Sequence, residues 1–132
     1  MNAHNISCKT ILVVEDDQGI RDTMRDVLES EGYRVVTAVN GEDGLEKLRE
    51  ATKPCLVLLD MMMPVMNGRE MLNIVLADDL LASTPVFFVS AIASAENTEG
   101  AAGYLKKPID LDILFKLINQ HTVSYLASSS IP

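Results

Sequence analysis

The sequence predicts an α/β fold: a doubly wound (βα)5 layer structure around one open parallel sheet. Three observations carry this. Short apolar runs recur, foremost Ile11-Leu12-Val13-Val14, Leu56-Val57-Leu58-Leu59 and Val86-Phe87-Phe88-Val89, and such continuous runs suit strands buried on both faces. Between them lie segments with helical apolar spacing, punctuated by glycine, asparagine or proline. Each run ends on a polar group: Glu15-Asp16, Asp60, Ser90, and Lys107 after Tyr104-Leu105. Parallel strands align their C-terminal ends, and open α/β sheets bind ligands at that edge.

Taken in order, the first strand is expected over Thr10–Val14. A helix follows over Gln18–Ser30, with Ile20, Met24, Val27 and Leu28 inward, Asp17 as its cap and Gly32 as its stop. The second strand is Arg34–Ala38. Asn40-Gly41 forms a turn, and Leu45 and Leu48 face inward on a helix over Glu42–Ala51. The third strand spans Cys55–Leu59. Met63-Pro64-Val65-Met66-Asn67-Gly68 is a loop, and Asn67 caps a helix over Arg69–Ala77 that turns Met71, Leu72 and Val75 inward. Pro85 opens the fourth strand, Val86–Val89. Residues 91–103 are small and polar, so that at most one short turn of helix is expected there. The fifth strand is Tyr104–Lys106. Pro108 ends it, and Asp110 caps a last helix over Leu111–Tyr125 carrying Leu114, Leu117 and Ile118. One domain over residues 9–125 is expected, with an N-terminal extension at 1–8 and a polar tail at 126–132.

The 132 residues suit one core. No apolar run approaches the roughly 20 residues of a membrane span, and the N-terminus lacks the pattern of a secretory signal. No membrane insertion and a cytoplasmic location are therefore expected. The net charge of −8 repels nucleic-acid phosphates, so no direct nucleic-acid binding is expected. If Asp16 and Asp60 stand level at one rim, Cys8 and Cys55 differ in depth by three residues, roughly 10 Å of strand rise. A disulfide spans Cα separations of only about 7 Å, so two reduced thiols are expected, with Cys55 a small core residue.

Three carboxylates at one rim repel one another unless a cation joins them. Magnesium takes oxygen ligands and usually one or two carboxylates beside phosphate oxygens, which suits Asp16 and Asp60. A backbone carbonyl just after Asp60 would be a further ligand. Asp60 is then a carboxylate nucleophile for a phosphoryl group, with Lys107 as a mobile point charge and Ser90 as a hydrogen-bond donor. The methionines of residues 61–66 have no nearby cysteine or histidine to make a soft-metal site and are read as loop packing. Lys106 is read as solvated, and His4 and His121 are assigned no role.

At this point the sequence resembles a receiver domain of a two-component response regulator. The resemblance rests on Ile11-Leu12-Val13-Val14-Glu15-Asp16-Asp17, on Leu58-Leu59-Asp60-Met61-Met62-Met63-Pro64-Val65-Met66-Asn67-Gly68, on Pro85-Val86-Phe87-Phe88-Val89-Ser90-Ala91, and on Gly103-Tyr104-Leu105-Lys106-Lys107-Pro108. It implies a flavodoxin-like three-layer sandwich with sheet order 2-1-3-4-5. It implies Asp60 as phosphoacceptor, Asp16 as a direct magnesium ligand, Glu15 acting through metal-bound water, and the Met62 carbonyl as a ligand; manganese would substitute. Ser90 would bond the phosphoryl group and move toward it, Lys107 would pair with Asp60 or its phosphate, and the Tyr104 rotamer would follow Ser90. The Lys107–Pro108 bond is often cis in the family. The donor would be a sensor histidine kinase, a histidine phosphotransfer protein or a small phosphodonor. The signal would pass by contact to a downstream protein, and the chain would be no dedicated enzyme.

The sequence departs from the family pattern between Ser90 and Lys107, where receivers usually carry a full fourth helix. The shortened segment is expected to be mobile and to reorder on phosphorylation, which puts dimerisation through that face in doubt. The positions two past the acceptor and two past the hydroxyl residue, Met62 and Ile92, shape attack by water in the family; both are apolar here, implying slow self-dephosphorylation. Rival readings are a pseudo-receiver that acts only as a protein-interaction module, a phosphatase with an aspartyl phosphate intermediate, and a flavodoxin-like cofactor binder. The phosphatase needs an acid where Met62 stands. The cofactor binder needs hydroxyls and glycines where Glu15-Asp16-Asp17 stand.

Overall fold

The computed structural model describes residues 8–50 and 53–122. Its strands are β1 (Thr10–Val14), β2 (Arg34–Ala38), β3 (Leu56–Asp60), β4 (Val86–Ser90) and β5 (Gly103–Lys106), and its helices α1 (Gln18–Ser30), α2 (Gly41–Arg49), α3 (Gly68–Ala77) and α4 (Leu111–Thr122). The strands are parallel and lie in the order β2-β1-β3-β4-β5, the expected doubly wound arrangement. Every residue of β1, β3 and β4 is buried. Alternate side chains therefore feed two cores. Leu12, Val14, Val57, Leu59 and Phe88 pack with Leu45 and Leu48 of α2 and with Met71, Leu72 and Val75 of α3. Ile11, Val13, Leu58, Phe87 and Val89 pack with Met24 and Leu28 of α1 and with Leu114 and Ile118 of α4.

The helix starts follow the local chemistry. Asp17 accepts from the Ile20 amide, Asn67 and Glu70 form a reciprocal capping box, and Asp110 accepts from the amides of Asp112 and Ile113. Asn40, expected as part of a turn, caps α2 through the Asp43 amide. Gly32 stops α1 at φ +91°, a conformation that costs glycine little. Ile20, expected inward, is exposed beside Pro108 and Ile109. The expected end of the last helix, residues 123–125, lies outside the described residues, as do both expected terminal segments beyond Cys8.

β3 begins and ends one residue later than expected. Val14 pairs with Leu59, so Asp60 stands level with Glu15 rather than with Asp16. The same shift overturns the expectation of two reduced thiols. Cys55 is level with Thr10, whose carbonyl accepts its amide at 2.8 Å, and Cys8 lies outside the strand, where strand rise does not set its position. The two cysteines form a disulfide with a Cα–Cα separation of 5.6 Å. Both are half-buried rather than core residues.

No helix joins β4 to β5. Hydrogen bonds within the segment and from α3 tie it to the fold. Asn97 accepts from the Ser94 amide at 2.8 Å and donates to the Ile92 carbonyl at 2.7 Å, and the Thr98 hydroxyl donates to Ser94 O at 2.6 Å. Ala93 and Thr98 are buried. From α3, Arg69 donates to the carbonyls of Glu99 at 2.8 Å and Asn97 at 3.1 Å, with its guanidinium 5.5 Å from the centre of the Phe88 ring. One side chain thus ties the crossover to α3 and β4. Arg69→Ala is expected to cost about 1.5–3 kcal/mol, the range for hydrogen bonds to charged groups, and to speed amide exchange at Ala93 and Ala101. A global loss of stability with exchange there unchanged would show that Arg69 is no clamp.

Candidate functional site

The rim forms where β1, β3, β4 and β5 end. Glu15 follows β1 buried, at 4% exposure, Asp60 closes β3 at 7%, and Asp16 is exposed. One carboxylate oxygen from each of the three lies within 4.8 Å of the others. Glu15 is held from several sides. Its Oε2 accepts from the Asp17 amide at 3.2 Å, and its carbonyl accepts from Arg21 at 2.8 Å. Asp60 Oδ1 accepts from the Met62 amide at 3.4 Å. A Cβ on Gly68 would run into the Asp60 carbonyl oxygen. Glycine there lets α3 start flush against the end of β3, with its amide on the Met61 carbonyl at 3.1 Å.

Lys107 reaches across from β5. Its ammonium is 3.0 Å from Glu15 Oε1 and 3.9 Å from Asp60 Oδ1, so its closer partner is Glu15 rather than the expected Asp60. Burial pushes the Asp60 carboxyl up, the Glu15 charge adds to this, and Lys107 opposes both. The outcome is a pKa of about 7. One ammonium does not neutralise three carboxylates, and the donors are all hard oxygens. That combination fits a divalent cation of the magnesium type.

Ser90 ends β4, buried, with its hydroxyl 3.3 Å from the Ile92 amide that donates to it, and its carbonyl accepts from the Lys107 amide at 3.2 Å. The peptide between Lys107 and Pro108 is cis, as the resemblance suggested. Tyr104 sits opposite Phe88 in the β4–β5 register and is 39% exposed, on the sheet face that has no helix between these strands. Met62 and Ile92 flank the rim, 67% and 57% exposed.

The sequence reading passed over Arg69 and Arg21. Arg69 carried a signal: a cation in the first turn of a helix opposes the helix dipole, which calls for a tertiary partner. Arg21 carried none, because its partner is a backbone carbonyl.

Comparison with known proteins places these features in context. A family model, the response regulator receiver domain, matches residues 11–119. The transcriptional regulatory protein CrdR of Helicobacter pylori is 40% identical over 111 residues, a match covering 80% of this chain and 51% of CrdR. This chain thus spans about half the length of that relative. The polar-differentiation response regulator DivK of Brucella anthropi is 30% identical over 118 residues, covering 86% of this chain and 95% of DivK. Among solved structures, the chemotaxis protein CheY4 of Vibrio cholerae superposes with a TM-score of 0.78 at 28% identity, covering 87% of this chain and 99% of CheY4.

Proposed function

The chain belongs to the family of response regulator receiver domains, the switches of two-component signalling, and from that membership we propose that it is switched by phosphorylation of Asp60. A single observation carries the reading: three carboxylates and one lysine converge where the strands end. An Asp60 oxygen attacks the phosphorus of a phosphohistidine on a sensor kinase or a histidine phosphotransfer protein. The new P–O bond forms as the P–N bond breaks, and the bonding pair leaves with the imidazole, which takes up a proton. Lys107 sits where it meets the charge that develops on the phosphoryl oxygens, and the Ser90 hydroxyl supplies a donor beside it. Asp16, Asp60 and the Met62 carbonyl would hold Mg2+ or Mn2+, with Glu15 acting through its water. The cation would offset the carboxylate charge and polarise the incoming phosphoryl group.

The chain modifies itself and hands on a signal by contact; it is no dedicated enzyme. Among the described residues no helix is long and apolar enough to cross a membrane, and we place the protein with its kinase partner in the cytoplasm. The test is to incubate it with magnesium and acetyl phosphate and to read intact mass. Gain of one phosphoryl group, abolished by chelation, supports the reading. No gain from this donor, nor from phosphorylated kinase, favours the contact-only module.

Met62 and Ile92 bring no group to the rim that could orient water or take its proton. The aspartyl phosphate is therefore expected to be long-lived. Met62→Asn should hasten phosphate loss by up to roughly tenfold, short of the hundredfold typical of a true general base. An unchanged half-life in that variant would count against the reasoning.

A further inference from the structure

The Cys8–Cys55 bond lies at the edge of the sheet opposite the carboxylate rim. Cys8 precedes β1 by two residues and Cys55 precedes β3 by one. These two strands are neighbours, and their far ends carry Glu15, Asp16 and Asp60. The bond thus fastens one end of the strand pair whose other end holds the acids. Both cysteines are half-buried at the end of the sheet, outside the two apolar cores. Cys8 Sγ lies 3.9 Å from the Lys53 carbonyl oxygen. The thiolate is the form that attacks a disulfide.

We propose that Cys8 and Cys55 form a reversible redox modification site that takes low-molecular-weight disulfides of the glutathione class. One protein thiolate attacks a sulfur of the small disulfide, forming a mixed disulfide and releasing one small thiolate. The second protein thiolate attacks the protein sulfur of that adduct, closing the Cys8–Cys55 bond and releasing the second small thiolate. The two protons lost by the protein thiols go to the two leaving thiolates, and the two electrons reduce the small disulfide. Excess small thiol runs the sequence backward.

The site governs resistance to unfolding and leaves the rim chemistry alone. The bond joins residues 47 apart in sequence and restricts the unfolded chain over that span. The register of β1 against β3 is held independently by the sheet pairing, so the acids keep their places when the bond opens.

The experiment equilibrates the protein in graded ratios of reduced to oxidised glutathione, traps free thiols with an alkylating agent, and reads intact mass, melting temperature and phosphoryl uptake. The expected result is an interconversion between no trapped thiol and two. The oxidised form should melt roughly 10 °C higher than the reduced form, with equal phosphoryl uptake in both. The variant Cys8→Ser/Cys55→Ser should melt with the reduced form and ignore the buffer. Three results would overturn the proposal: thiols that stay fully alkylated in the most oxidising buffer, a bond that persists in the most reducing one, or forms that melt within about 2 °C of each other. Uptake that fails in both forms would count against the phosphorylation reading while leaving the redox site standing. Uptake lost only on reduction would refute the independence of site and rim.

Discussion

Asp60→Asn is expected to give a folded protein that takes up no phosphoryl group, while the parent gains one from acetyl phosphate in magnesium. The substitution keeps the shape of a side chain buried at the end of β3, and its amide oxygen still accepts from the Met62 amide. It removes the anionic oxygen that forms the new bond, so the loss should be complete rather than partial, at least about a hundredfold in initial rate. It also removes one of three acids from a cluster held by a single lysine, so magnesium affinity should fall as well. Intact mass and a magnesium titration check the two effects separately. Equal phosphoryl gain in parent and variant would mean that another residue is the acceptor.

Metal-free protein is expected to lose stability as the pH rises from about 4 to 8, against the usual behaviour of a structural carboxylate. Asp60 releases its proton at 3.8 ordinarily and at about 7 in the folded protein. Between those values the folded chain holds a proton that the unfolded chain has lost. Its stabilising contribution is therefore full below the lower value and gone above the upper one. The ceiling is about 4 kcal/mol at 1.36 kcal/mol per pKa unit, and side-chain relaxation should bring it to roughly 1–3 kcal/mol. Urea unfolding in chelator at pH 5 and pH 8 reads the difference. Asp60→Asn should flatten the slope and unfold later than the parent at pH 8. Magnesium should stabilise the parent more at pH 8 than at pH 5, since it competes with the proton. A variant that kept the full slope would place the titrating group elsewhere.

Much of this architecture was legible because local chemistry decides it. Doubly buried strands announce themselves as unbroken apolar runs, and Asp17, Asn67 and Asp110 cap helices by bonds that span only two or three residues. The rim was legible for a related reason: a charged residue at the end of a buried run has only the sheet edge to go to. Register was not legible. Counting back from Asp16 and Asp60 misplaced β3 by one residue, and that single step turned a bonded cysteine pair into two separate thiols. Nor does the sequence decide between the two carboxylates facing Lys107. Glu15 and Asp60 differ by a methylene and by about an ångström of reach, and the closer partner emerges only from the way β5 ends. The contacts between residues 91–103 and α3 run through Arg69, distant in sequence, and composition alone does not show them.

The β4–β5 crossover also bears on how the chain tolerates changes of length. It runs from Ala91 to Ala102, and parallel neighbours need about a dozen residues to return from the end of one strand to the start of the next. Most connections of this kind have slack in a helix; this one has spent nearly all of it. Insertions would only lengthen a surface strap, at a small and slowly growing entropic cost. Deletions would pull β5 out of register, and Lys107 with it. Length variation here is one-sided, so natural drift and deliberate grafting are both free to add residues where neither is free to remove them.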